Sequence, residues 1–138
     1  MKILYQTRAS ATGGRNGHVV SADGVLDLNL AIPREMGGPG GALSNPEQLF
    51  AAGYAACFDS ALAVVAGQSK LKLPGTRVDA TVGIRPNAAG GYGLAVKLEV
   101  TIPDVPREQA QTLLEQAHAV CPYSNALRGN VAVELILK

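Results

Sequence analysis

Residues 44–67 read SNPEQLFAAGYAACFDSALAVVAG and predict one long central helix. Ser44 with Glu47 three residues later fits a capping box. Asn45 followed by Pro46 fits equally well as an N-cap with proline at the first helical position. Either cap places the start of the helix near residue 46.

The body of this helix is almost free of charge. Asp59 is the only charged side chain from residue 48 to residue 67, so other protein surfaces must cover most of the helix. The run is too short and too interrupted by polar residues to predict a membrane span. We therefore expect a buried helix that holds the thiol of Cys57 inside the protein.

Size and composition limit the classes of function. The 138 residues predict a single domain, residues 1–138, with one core. A net charge of +1 with 17% charged residues gives no indication of binding to nucleic acid or to a membrane. The first residues, MKILYQ, lack the long apolar run of a signal peptide, which predicts a cytoplasmic protein. In that compartment two cysteines are more often reactive, metal-binding or buried than permanently bridged.

The segments before the helix predict strands. Residues 3–8 alternate as a first strand, and the small, glycine-rich residues 9–17 predict a loop. Asp-Gly at 23–24, between two apolar runs, predicts a hairpin of residues 18–21 and 25–30. A proline- and glycine-rich loop at 33–41 then leads to the helix.

The segments after the helix complete an α+β pattern. Two alternating runs, at 77–85 and 94–102, predict a long hairpin. Residues 107–120 predict a second helix, and 131–137 a last strand. The apolar face of that helix is Ala110, Leu113, Leu114, Ala117 and Cys121. This order predicts an α+β fold with antiparallel sheets.

Cys57 and Cys121 are the candidate reactive groups. Both face the core by their spacing, so one reading is that they are small buried hydrophobes. Against it, Cys121 is followed by Pro122, which fixes the backbone where the second helix stops. Glu47 and Arg15 could supply the charges that a reactive thiol needs.

The physical reason for those charges is acidity. A free thiol with a pKa near ~8.5 is mostly protonated at neutral pH. A nearby arginine stabilises the thiolate, whereas apolar burial disfavours it. A carboxylate could orient the guanidinium through a bidentate pair. Glu47 could instead only cap the helix, and Arg15 could be a solvated loop residue; spacing alone does not bring either one to Cys57.

Two other functions fit the residues. His118 and Cys121 lie three apart on a helix and could share a metal, although no further ligands cluster with them. A non-catalytic module that binds apolar ligands between sheet and helix would need neither cysteine to react.

Four segments carry a resemblance to a known family: NPEQLFAAGYAACF at 45–58, VCPYSNA at 120–126, ATGGR at 11–15 and SADG at 21–24. Together they resemble the organic hydroperoxide resistance (Ohr) proteins of the Ohr/OsmC superfamily. The likeness covers essentially the whole chain. The Cys-Pro-Tyr-Ser form of the second cysteine motif favours the Ohr branch.

The resemblance implies a thiol peroxidase that works without metal, haem or flavin. Cys57 would be the peroxidatic cysteine, and Cys121 would resolve its sulfenic acid into a disulfide. Arg15 would hold the thiolate and polarise the peroxide, and Glu47 would orient Arg15.

The resemblance also implies partners and assembly. The expected substrates are alkyl and fatty-acid hydroperoxides, and the reductant is a small dithiol or a dihydrolipoyl-bearing protein. The expected fold is an intertwined homodimer in which antiparallel sheets pack around the central helices.

Overall fold

The computed structural model describes residues 1–138 as two compact parts, Met1–Leu49 and Phe50–Lys138. The long helix α1, Pro46–Gln68, starts in the first part and continues through the second. Each part contains one three-stranded sheet.

The first part is an antiparallel sheet in the order β1-β2-β3. Its strands are β1 Ala9–Thr12, β2 His18–Ser21 and β3 Asp27–Asn29, and short 3-10 turns occupy Gly14–Asn16 and Arg34–Met36. The predicted β2–β3 hairpin is confirmed. The predicted first strand at 3–8 is wrong, because the strand begins at residue 9. The four residues of β1 are small and exposed, so the sequence shows no apolar alternation there. The strand is defined by its pairing with β2.

Helix α1 begins as predicted, and the structure decides between the two caps. The Gln48 N–H donates to Asn45 Oδ1 at 2.8 Å, so Asn45 is the N-cap and Pro46 the first helical residue. The helix has 23 residues and is long and apolar enough, by length and composition, to cross a membrane. The prediction that it is too short was therefore wrong. Core helices of soluble proteins can have the same length and apolar composition.

The second part contains the sheet β4-β5-β6, formed by β4 Arg77–Pro86, β5 Tyr92–Thr101 and β6 Val133–Leu137. β4 and β5 pair antiparallel over their whole length, as predicted. β6 pairs parallel to β5, so the prediction of purely antiparallel sheets is wrong for this pair. Helices α2, Arg107–Val120, and α3, Pro122–Leu127, form the crossover that parallel neighbours require.

The core of the second part is built from α1, β5 and α2. The predicted apolar face of α2 is buried at all five positions, including Cys121. Pro122, expected only to end α2, is also the first residue of the short helix α3. The largest fully buried side chains are Tyr54, Phe58, Leu62, Leu98 and Leu114. The α+β class is therefore confirmed, with two sheets and three helices.

Candidate active site

Arg15 and Glu47 form a bidentate ion pair within the first part. Arg15 Nη1 donates to Glu47 Oε2 at 2.8 Å, and Nη2 donates to Oε1 at 2.7 Å. The Glu47 side chain is 13% exposed and that of Arg15 is 32% exposed. Hydrogen bonding to Arg15 lowers the pKa of Glu47, and the same bond raises the pKa of Arg15, so both groups stay charged at neutral pH. The carboxylate thus holds the guanidinium in one orientation.

A tight turn within the predicted loop carries Arg15. The residue lies in the 3-10 turn Gly14–Asn16, which follows Gly13 in the left-handed region at φ 72°. Asn16 Oδ1 accepts a hydrogen bond from the Ile32 N–H at 2.8 Å, and this tethers the turn to the chain beyond β3. A Cβ at Gly17 would lie 1.7 Å from the Thr12 carbonyl oxygen, so only glycine fits there.

The two cysteines meet within the second part. Cys121 Sγ donates to Cys57 Sγ at 3.7 Å, although the residues are 64 apart in the sequence. Cys57 is half-buried on α1, and Cys121 is fully buried at the junction of α2 and α3. A disulfide has an S–S distance of about 2.0 Å, so a small movement would join these sulfurs.

The surroundings of Cys57 favour the protonated thiol. Burial raises its pKa, and the neighbouring Cys121 adds to that effect. A hydrogen bond from the backbone N–H of Tyr123 to the sulfur acts in the opposite direction, but the pKa remains above its ordinary value. A thiolate at neutral pH therefore needs further stabilisation, such as a positive charge.

An aromatic cluster lies beside the thiols. The Tyr123 ring centroid is 5.8 Å from that of Phe50 and 5.7 Å from that of Tyr54. A Cβ at Gly53 would lie 2.9 Å from the Tyr123 hydroxyl, so the glycine makes room for this ring. The backbone that donates to Cys57 thus belongs to a residue whose side chain packs on α1.

A hydrogen-bonded chain close to the cysteines was not predicted. Tyr54 Oη and Ser124 Oγ are 2.6 Å apart, and His118 Nδ1 is 2.9 Å from the same Ser124 oxygen. Tyr54 and Ser124 are 70 residues apart in the sequence, so no local pattern reveals the contact. His118, considered above as a metal ligand, bonds to a hydroxyl, and no group of three or more potential ligands occurs in the structure.

Comparison with known proteins identifies the family. The family model for OsmC-like proteins matches residues 38–136. The chain belongs to this family. An organic hydroperoxide resistance protein of Xanthomonas axonopodis pv. citri is 55% identical over 137 residues, covering 99% of this chain and 96% of the relative. OhrB of Bacillus subtilis is 44% identical, with 98% of each chain covered.

Solved structures of OsmC-like proteins share the fold. An organic hydroperoxide resistance protein from Elizabethkingia anophelis aligns with a TM-score of 0.95 and 54% identity, covering 100% of this chain and 99% of that one. A Vibrio cholerae protein described as a putative organic hydroperoxide resistance protein, with captopril bound in one of its active sites, aligns with a TM-score of 0.95 and 52% identity. That alignment covers 99% of this chain and 94% of the Vibrio one.

The predicted resemblance to the Ohr branch of the OsmC-like family is thus confirmed. The homologues support a role in organic hydroperoxide detoxification and in the response to oxidative stress. The roles of individual residues stay predictions.

Proposed function

We propose that the protein is a cysteine-based peroxidase that reduces organic hydroperoxides to alcohols. The observation that carries the proposal is the contact between Cys57 and Cys121, in a chain whose relatives include organic hydroperoxide resistance proteins. In the first step the Cys57 thiolate attacks the outer oxygen of the hydroperoxide, and the O–O bond breaks. Cys57 becomes a sulfenic acid, and the alkoxide takes a proton to leave as the alcohol.

Arg15 and Glu47 have the properties that the first step requires. Burial keeps the Cys57 thiol protonated, so the reaction needs a group that stabilises its thiolate. Arg15 is the proposed source of that positive charge, and it would also polarise the peroxide. Glu47 holds the guanidinium in one orientation through two hydrogen bonds.

Cys121 completes the cycle in this proposal. Its sulfur attacks the sulfenic sulfur, the S–O bond breaks, and hydroxide leaves with the thiol proton as water. The resulting disulfide between Cys57 and Cys121 is reduced by a dithiol, either a small molecule or a dihydrolipoyl-bearing protein, which is itself oxidised. The proposed site of this cycle is the cytoplasm, where thiols are kept reduced. Neither step calls for a metal, haem or flavin.

The apolar surroundings of Cys57 favour substrates with a hydrocarbon tail. Phe50 and the buried Phe58 offer no polar partner to hydrogen peroxide. An alkyl or fatty-acid hydroperoxide would gain about 0.8 kcal/mol for each methylene removed from water. We expect a long-chain hydroperoxide to oxidise Cys57 at least about tenfold faster than hydrogen peroxide does, since two methylenes supply that factor. Equal second-order rate constants would contradict this specificity.

The proposed functional unit is a homodimer, intertwined around the central helices as in the family resemblance. One face of α1 is exposed and consists of small or apolar residues, among them Ala52, Ala56, Ser60, Ala63 and Val64. A second copy of the chain is the proposed cover for this face.

Thiol counting tests the chemistry. One equivalent of an organic hydroperoxide should remove both free thiols from the native protein. Cys57→Ser should abolish peroxide consumption, whereas Cys121→Ser should consume one peroxide per site and accumulate a sulfenic acid. The opposite pattern would reverse the two roles. An unchanged number of free thiols in the native protein would contradict the proposal and favour a non-catalytic module that binds apolar ligands.

A further inference from the structure

A hydrogen-bonded chain of three polar side chains, two of them fully buried, connects the elements that carry the two cysteines. Tyr54 lies on α1 three residues before Cys57, and Ser124 lies on α3 three residues after Cys121. The 2.6 Å hydrogen bond between their hydroxyls therefore joins the same two helices as the sulfur contact, about one helical turn away. His118 on α2 adds the third member at 2.9 Å from Ser124.

We propose that Tyr54, Ser124 and His118 are positioning residues for disulfide formation, holding Cys121 against Cys57 until the S–S bond forms. The inference rests on the proposed function and adds residues to it. In the condensation the Cys121 sulfur attacks the Cys57 sulfenic sulfur, the S–O bond breaks, and water leaves. Because no disulfide joins α1 to α3 before this step, the hydrogen bonds between Tyr54, Ser124 and His118 supply a direct side-chain link that keeps the sulfurs close.

The hydrogen bonds can all be satisfied in one arrangement only. When His118 is neutral, Tyr54 donates to Ser124, and Ser124 donates to His118 Nδ1. A protonated His118 would donate to Ser124 instead, which leaves one hydroxyl hydrogen without a partner where Tyr54 and Ser124 are fully buried. The complete set of hydrogen bonds between Tyr54, Ser124 and His118 therefore requires a neutral imidazole.

The groups around His118 keep it neutral. Burial lowers its pKa, and the positive charge of Arg128 lowers the pKa further. The Arg128 guanidinium also donates to the His118 backbone carbonyl at 2.8 Å, so this cation is fixed beside the ring. The other titratable groups near His118 and Ser124 are the two cysteine thiols and Tyr54. The Tyr54 phenol stays uncharged at neutral pH because burial raises its pKa.

Rapid mixing with an organic hydroperoxide separates the two chemical steps. In Tyr54→Phe we expect the oxidation of Cys57 to keep its rate, whereas condensation slows by roughly three- to tenfold, the effect of one lost hydrogen bond. The longer-lived sulfenic acid should be captured by dimedone. Tyr92→Phe, at an exposed tyrosine, is the matched control and should leave both phases unchanged. Condensation at the native rate in Tyr54→Phe would overturn the proposal.

A pH profile distinguishes positioning from a general loss of stability. In the native protein, condensation should slow as the pH falls through the pKa of His118, below its ordinary value of about 6.5. His118→Asn places a non-titrating amide oxygen near the position of Nδ1, so it should keep most of the rate and lose this inflection. His118→Leu should be slow at every pH. An identical inflection in His118→Asn would contradict the role of His118.

A peroxide-free assay separates this inference from the proposed function. Glutathione disulfide forms a mixed disulfide with Cys57 and releases one glutathione thiol; Cys121 then attacks the Cys57 sulfur, and the glutathione bound there leaves as a second thiol. Tyr54→Phe should slow the closing step, measured as the lifetime of the mixed disulfide by mass spectrometry. If the native protein consumed no hydroperoxide but this lifetime rose, only the peroxidase function would fail. An unchanged lifetime together with normal peroxide consumption would reject only the positioning role.

Discussion

At the scale of single residues, reactivity depends on the acidity of the Cys57 sulfur. Three influences act on it within its own part of the structure: burial and Cys121 raise its pKa, and the Tyr123 N–H lowers it. Their sum leaves a protonated thiol, which is safe from unwanted oxidation but slow to attack a peroxide. A guanidinium that Glu47 orients is the remaining source of stabilisation in the proposed mechanism.

Replacing Arg15 measures that contribution. We expect Arg15→Ala to raise the Cys57 pKa by about one unit or more, since a nearby opposite charge shifts a pKa by about 1–3 units. Glu47→Gln should give a smaller rise because the guanidinium stays but loses its bidentate partner. Alkylation rates of Cys57 against pH, in a Cys121→Ser background, report the value. Arg8→Ala, at an exposed arginine, is the control, and a pKa in Arg15→Ala equal to this control would exclude Arg15 from the reaction.

At the scale of elements, the sequence predicted those helices and strands whose formation depends on residues within the same segment. The helix Arg107–Val120 was predicted with its bounds because its apolar spacing and the flanking prolines act within the segment itself. The strand at Ala9–Thr12 was missed because its partner β2 defines it, and its own side chains are exposed. The direction of β6 was missed because alternation along a strand says nothing about which way its neighbour runs.

The same distinction applies to the candidate site. Cys57, Cys121, Arg15 and Glu47 were proposed from motifs, and the structure groups them as two contacting pairs. Two contacts could not be predicted from the motifs, because they depend on the packing of distant segments. They are the interaction of the Tyr123 N–H with the Cys57 sulfur and the hydrogen bond between Tyr54 and Ser124. Residue spacing along a single sequence does not predict which distant segments pack against each other.

The start of α1 offers a test of cap assignment. Asn45→Ala removes the acceptor for the Gln48 N–H and should lower the free energy of unfolding by about 1 kcal/mol, the usual value of an N-cap. Ser44→Ala is the matched control, because Ser44 contributes its backbone N–H and carbonyl to neighbouring residues and a methyl group leaves these intact. Urea unfolding of both variants measures the difference. A larger loss in Ser44→Ala than in Asn45→Ala would mean that the capping box, rather than Asn45, stabilises this helix end.

At the scale of the whole molecule, the exposed face of α1 is the reason for proposing a homodimer. Val64 is 55% exposed, and Ala63 lines an apolar cleft of about 460 Å³ together with Ala66, Leu71, Leu73 and Pro74. An apolar helix face is normally buried in a stable protein, and the interior of an obligate dimer is the usual cover when the chain itself does not supply one. Such an interface buries on the order of 2,000 Å² or more.

A charge introduced on this face tests the assembly. We expect the native protein to sediment as a dimer at micromolar concentration, and Ala63→Glu to shift it towards monomer, because a carboxylate buried without a partner is strongly unfavourable. Ala119→Glu introduces the same group at an exposed alanine of α2 and should leave the dimer intact. Since the face includes residues next to Cys57, loss of the dimer should also slow peroxide reduction in Ala63→Glu. A native protein that sediments as a folded, active monomer would show that α1 functions without a second copy of the chain.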